Sequence, residues 1–242
     1  MQKRKRLLVN ATPLTRVQTG ISRYLRCLYS QLERQYSQLL DIWYFDGKKL
    51  ERSMPQGPCD MNRWNRLTDL FWKLPWPAAL VLRLILHYQI ERRFYKLSQG
   101  FDVYHEAGFF PLKVQPAVRT VFTVHDVSLF RFPQHHPRER VNFARIFWQS
   151  RCTRVQRFLT VSEFTAQELT YYLPDARSSI TVTPLAHDPD VFYPRPHTSV
   201  REFIQTRKLP EIYFLFVGSG DPRKNIQCIP RVLDAAGVNL PL

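Results

Sequence analysis

Cysteine is scarce and scattered: Cys27, Cys59, Cys152 and Cys228 are the only four in 242 residues, with no C-x-x-C spacing. That argues against a disulfide framework or a cysteine-held metal and fits a reducing compartment. Acidic residues are short too, 20 against 35 lysines and arginines, for a net charge of +15. Such a balance favours an anionic partner: a nucleic acid, a membrane surface or a phosphorylated small molecule. Long hydrophobic runs are missing. No stretch reaches the roughly 18 uncharged apolar residues of a membrane span. After the basic start of residues 1–6 only Leu7, Leu8 and Val9 precede Asn10, so no signal-peptide core is present. The expectation is a cytoplasmic chain, peripheral at most to the inner face of a membrane. Repeats and low-complexity tracts are absent. So are helix-turn-helix, RNP-strand and zinc spacings, which leaves a basic nucleic-acid-binding module as the alternative, with no specific nucleic acid expected. His135 and His136 join no metal-ligand spacing, and neither a metal nor a cofactor is expected.

What is present reads as globular, with 44% hydrophobic and 23% charged residues. Residues 7–11 form a first strand, and a loop with Thr12, Pro13, Thr19 and Gly20 leads into a helix over 21–35. There Ile21, Leu25, Leu28 and Leu32 recur at helical spacing. A second strand at 40–45 ends in Asp46-Gly47, a turn dipeptide. Residues 48–61 read as an exposed loop. Pro75 and Pro77 open a helix over 78–97. Its apolar turns run all round, which favours packing on a sheet with a solvated tail. The competing reading for 64–96, aromatic at one end and basic at the other, is a helix on a membrane interface, tested through Leu80 and Leu84. Further strands lie at 102–106, 119–125, 158–161 and 180–184, with helices at 137–156 and from Ser162, a natural N-cap. A Pro-rich linker spans 187–211. Beyond it, a strand at 212–217, a turn at 218–222 and a helix at 223–236 open a second unit.

The stretch that organises the chain is 119–126, Arg-Thr-Val-Phe-Thr-Val-His-Asp. A β-branched and aromatic run that ends in a histidine and an aspartate delivers polar side chains at the carboxyl end of a strand, where open α/β sheets hold ligands. On this dipeptide alone, a ligand site and a simple capped turn stay equally open.

Four stretches in order narrow the choice. They are Thr12-Pro-Leu with Thr19-Gly20-Ile21, Val124-His-Asp-Val-Ser, Val161-Ser-Glu-Phe-Thr, and Val217-Gly-Ser-Gly-Asp-Pro-Arg-Lys-Asn225. Together they resemble the amino-terminal half of group 1 (family 4) glycosyltransferases of GT-B fold, the mannosyltransferase-like subgroup in particular. The resemblance implies an α/β fold. A Rossmann-like acceptor-side domain at 1–186 would have a parallel sheet flanked by helices, and an incomplete second Rossmann-like domain would start at 212–242. It also implies retaining transfer of a sugar, mannose by subgroup, from a nucleotide-diphosphate sugar to a glycan or lipid-linked acceptor.

The same resemblance implies the roles. His125 contacts the donor sugar; Thr19, Gly20, Gly218, Ser219, Arg223 and Lys224 bind the donor. Many family members carry arginine where Ser219 stands, which leaves two alternatives for that phosphate contact: Arg223 supplies it, or the subgroup manages without it. Ser162 and Glu163 match a loop at the family's cleft, with helix capping alone as the alternative, and Asp126 orients loop backbone. His105 and Glu106, read from their place at the end of the third strand and not from the resemblance, are candidates to reach the acceptor. A pair of glutamates seven residues apart belongs to the family's donor domain and is not reached by residue 242. The expectation is therefore a truncated form with little activity alone, and a separate chain supplying the remaining half.

Overall fold

The computed structural model describes residues 3–15, 19–57, 74–210, 212–218 and 224–238. The chain divides into two compact units, Met1–Pro184 and Leu185–Leu242.

In the first unit, runs of β-branched and aromatic residues form β1 (Lys5–Asn10), β2 (Leu40–Phe45), β3 (Leu50–Glu51), β4 (Val103–Glu106), β5 (Arg119–Val124), β6 (Val155–Thr160) and β7 (Ile180–Val182). They make one sheet in the order β3-β2-β1-β4-β5-β6-β7. Every pairing is parallel except β2 with β3. The two-residue β3 is a correction to the loop expected over 48–61. Asp46 makes the hairpin, its Oδ1 accepting the amides of Lys48 and Lys49 at 2.7 Å, with Gly47 at φ +101°.

The strand order reverses beside β1. The chain runs outward from β1 to β2 and β3, then returns to lay β4 on the opposite side of β1. The carboxyl ends of β1 and β4 therefore bound the switch-point crevice.

Among the described residues, five helices cover this sheet: α1 (Gly20–Tyr36), α2 (Trp76–Leu97), α3 (Ser128–Arg131), α4 (Arg138–Cys152) and α5 (Glu163–Tyr172). Both faces of β1 are buried, as a parallel sheet requires. Val9 packs with Leu25 and Tyr29 of α1, while Leu8 packs on the other side with Phe94 of α2 and Tyr104. A third cluster joins Phe122, Val124 and Phe158 to Trp148 of α4 and Leu169 of α5. Each fully buried ring or leucine in these clusters is worth about 1.5–3 kcal/mol. Helix α2 is locked to α4 by two interior ion pairs, Arg83–Glu139 at 3.0 Å and Arg151–Glu91 at 2.8 Å.

The second unit departs from expectation. Residues 212–217 are not a strand, because a strand needs a ladder partner and the described residues of this unit provide none. The segment expected as linker holds a helix, α6 (His197–Thr206), opened by Pro196. The last helix, α7 (Cys228–Ala235), begins later than the expected residue 223.

Candidate active site

Thr19 and Gly20 sit at the start of α1. Thr19 is its N-cap: the hydroxyl accepts the Ser22 amide at 3.3 Å, and Ser22 Oγ accepts the Thr19 amide at 2.6 Å, a reciprocal capping box. The Thr19 carbonyl takes the Arg23 amide at 3.0 Å. The amides of Gly20 and Ile21 are left without a partner among the described residues, at the positive end of the helix dipole. Nothing in the chain lies within 4 Å of where a Cβ on Gly20 would stand. Neither backbone angle nor internal packing therefore demands glycine there; the open space is on the solvent side.

His125 directly succeeds the last residue of β5. Tyr24, one turn into α1, meets its imidazole edge-on, with centroids 5.0 Å apart and planes at 85°. That contact brings the first turns of α1 and His125 to the same side of the sheet. His125 Nε2 is buried and has no hydrogen-bond partner among the described residues. Such an orphan is costly unless something binds it. Burial lowers the pKa of this imidazole, with the Asp126 carboxylate pulling the other way, so the ring is held neutral at physiological pH. Asp126 spends Oδ1 on the Ser128 amide at 2.9 Å, shaping the turn into α3.

Ser162 caps α5 by accepting the Thr165 amide at 3.1 Å, and Thr165 donates to the carbonyl of His125 at 3.4 Å. Ser162 and Glu163 thus begin a helix fastened to the His125 backbone.

His105 and Glu106 lie at the end of β4, 5% and 1% exposed. Both are interior and direct no free polar atom outward. His105 Nδ1 meets Tyr29 Oη at 2.5 Å and Nε2 meets Thr123 Oγ1 at 2.8 Å. Thr123 in turn meets Tyr24 Oη at 3.2 Å, so a buried polar chain runs from His105 to the residue that braces His125. Glu106 accepts from Asn10 Nδ2 at 2.7 Å, Ala107 N at 3.0 Å, Gly108 N at 2.6 Å and the Tyr104 hydroxyl. It stitches the end of β1 to the end of β4 across the switch point. Sequence reasoning missed Tyr24, Thr123 and Asn10. The period-2 offset of Thr123 from His125 placed the two on one face and was the available signal.

Burial is the main cause that lowers His105 to a pKa of about 4, with His125 contributing less. The unfolded chain, near 6.5, binds the proton more readily. Stability from this group is therefore full above about pH 6.5 and lost as the pH falls toward 4. We expect about 2 kcal/mol of lost stability between pH 7 and 4.5 that is missing in His105→Gln, read as the difference between two urea-denaturation series. The difference is needed because burial raises the pKa of Glu106, which works in the opposite sense.

Gly218 and Lys224 belong to the second unit, where both are exposed. A Cβ at Gly218 would meet the Phe216 ring at 2.7 Å. Ser219 and Arg223 lie outside the described residues, as do Cys59 and most of the aromatic stretch 64–76. No cluster of three or more metal-ligating side chains occurs among the described residues.

A mostly parallel sheet with helices on both faces, and a braced imidazole at its carboxyl edge, defines a Rossmann-like α/β domain of the GT-B amino-terminal kind. The model of Glycosyltransferase Family 4 matches residues 19–191, and the chain belongs to that family. Over 227 residues it is 26% identical to the O-antigen chain mannosyltransferase B of Escherichia coli. That alignment takes in 92% of this chain and 58% of the relative's length.

Proposed function

We propose that the chain is the acceptor-side part of a retaining glycosyltransferase. It would transfer mannose from a nucleotide-diphosphate sugar to a glycan or lipid-linked acceptor of the polysaccharide-assembly kind. The observation that carries this reading is the contact of Tyr24 with His125. In a family 4 chain it sets two amides of a capped helix start and an imidazole nitrogen, all without a partner among the described residues, on one side of the sheet.

As the glycosidic bond breaks, the diphosphate leaves with the electron pair and negative charge grows on its oxygens. The amides of Gly20 and Ile21, at the positive end of α1, stabilise that charge. His125, neutral, gives or takes a hydrogen bond at a sugar hydroxyl and does not act as a general base. Thr19 holds the helix start in place, and Ser162 with Glu163 forms the neighbouring rim. The assignment of Gly218, Ser219, Arg223 and Lys224 to the donor phosphates rests on the resemblance of 217–225. The described residues after Pro184 form helices and no strand, and low turnover by this polypeptide on its own is part of the proposal. No metal or other cofactor takes part in this reading.

The test is release of nucleoside diphosphate from a nucleotide-diphosphate mannose in the presence of a lipid-linked oligosaccharide. The chain is assayed alone and mixed with a separately produced donor domain of a relative. Alone it should run at less than about a thousandth of the ordinary 10 s⁻¹. In the mixture His125→Ala should cost about 10²-fold in kcat, the usual effect of deleting one preorganised contact. Rapid turnover by the chain alone defeats the incomplete-site reading. An active mixture indifferent to His125→Ala defeats the assignment of the site.

A further inference from the structure

Helix α2 is apolar on both faces. Its inner side sends Ala79, Leu80, Leu84, Ile90 and Phe94 into the core. On the outer side Val81, Leu82, Ile85, Leu86 and Tyr88 are between 38% and 67% exposed. A surface helix of a soluble domain ordinarily turns charged residues outward at these positions.

The same outer face continues toward the C-terminus with Gln89, Arg92, Arg93 and Lys96. At 100° per residue, Tyr88, Val81, Arg92, Ile85, Lys96, Gln89, Leu82, Arg93 and Leu86 fall on one arc of less than half the circle. From Val81 to Lys96 the stripe runs about 22 Å. Arg92, Arg93 and Lys96 are exposed and enter no ion pair among the described residues. An apolar front half and a basic rear half on one face is the pattern of a helix lying in a bilayer interface. Its side chains enter between the headgroups while the cations meet lipid phosphates.

We propose that the outer face of α2 docks the chain on a bilayer rich in anionic lipid. Two features select that partner over a protein. The chain's charge of +15 complements an anionic surface, and the free cations share the apolar arc itself and do not ring it as a rim would. No described helix is long and apolar enough to cross a membrane, so the attachment is reversible and lies in the interface. The ion pairs Arg83–Glu139 and Glu91–Arg151 lock α2 to α4 and hold the stripe outward. Leu80 and Leu84, the residues that helical periodicity alone marks for testing, pack against the core and would report on folding instead. The proposal does not depend on sugar transfer.

The experiment is co-sedimentation of the full chain with vesicles of phosphatidylcholine alone or mixed with phosphatidylglycerol, at low and high salt. The chain should partition onto the mixed vesicles. Leu82→Glu with Ile85→Glu should lower the partition coefficient at least about tenfold, and Arg92→Gln with Arg93→Gln and Lys96→Gln by ten- to a hundredfold, with most of the salt dependence gone. Arg201→Gln with Arg207→Gln, which removes two positive charges from the second unit, should change nothing. Circular dichroism confirms the fold of each variant, and the glutamine triple decides alone if the glutamate pair fails to fold. Failure of the wild type to bind, binding indifferent to the stripe, or an equal loss in the Arg201/Arg207 control overturns the proposal. So does a dimer that the glutamate pair splits, because the stripe would then seat a second copy of the chain.

Discussion

Glu106→Ala is expected to destabilise the first unit by about 3–5 kcal/mol, seen as a lowered urea midpoint at unchanged m-value. The carboxylate gathers donors from Asn10, Tyr104, Ala107 and Gly108 in an interior site. Alanine leaves all of them without an acceptor, and each buried unmet donor costs about 1–3 kcal/mol before relaxation. Glu106→Gln separates charge from shape. Its carbonyl oxygen can keep the Ala107 and Gly108 amides, while its NH₂ then faces Asn10 Nδ2. Asn10 cannot turn its oxygen round to meet it, because Oδ1 already accepts from Thr12 N at 3.2 Å and Thr12 Oγ1 at 2.6 Å. We therefore expect Glu106→Gln to cost about half as much as alanine. An alanine variant as stable as wild type would mean that the crevice walls are not held by this residue.

Glu91→Ala should cost a similar 3–5 kcal/mol, for a different reason. Glu91 and Arg151 form an ion pair with only 8% and 7% of their side chains exposed, and Glu91 Oε1 also accepts the Lys113 amide at 3.0 Å. Removing the carboxylate strands the guanidinium in the interior, where burial already lowers its pKa. The double variant Glu91→Leu with Arg151→Met removes both charges and fills similar volume. The Lys113 amide is then left unmet and His87 Nε2 loses the carboxylate 3.7 Å away, so about 1–2 kcal/mol should be lost. If the double variant is as unstable as the single one, the pair contributes through its bonds and not through the cost of an orphaned charge.

The frame was legible where local chemistry and tertiary demand agree. The run at 40–45 is the strand β2 at its expected bounds, and Ser162 caps α5, because a hydroxyl before a helical period has few other uses. The carboxyl-edge position of His125 was equally readable, since a β-branched run must end and the next residue then sits at the sheet edge. The surroundings of His105 were not readable in the same way. The sequence shows a polar residue near a strand end but does not show which neighbour meets it. Its partners Tyr29 and Thr123 lie 76 and 18 positions away. Residues 212–217 have strand composition yet form no strand, because a ladder partner is not a property of the segment itself. The outward stripe of α2 was hidden by its own symmetry: a helix apolar all round gives no sign of which side meets the core.

The reversal of strand order beside β1 has a consequence for how the nascent chain reaches its fold. One flank of β1 finds β2 within 35 residues, pairing Lys5 with Leu40, whereas the other must wait for Val103 to join Leu7. At a synthesis rate of about 5–20 residues per second, the span from Phe45 to Glu106 takes roughly 3–12 s to emerge. During that interval Leu8 and Val9 line an open strand edge. Non-local parallel pairing of this kind is slow and leaves the half-built sheet prone to sticking to its neighbours. Pulse-labelled ribosome-bound chains released before residue 103 should aggregate, and those released after β5 has emerged should not.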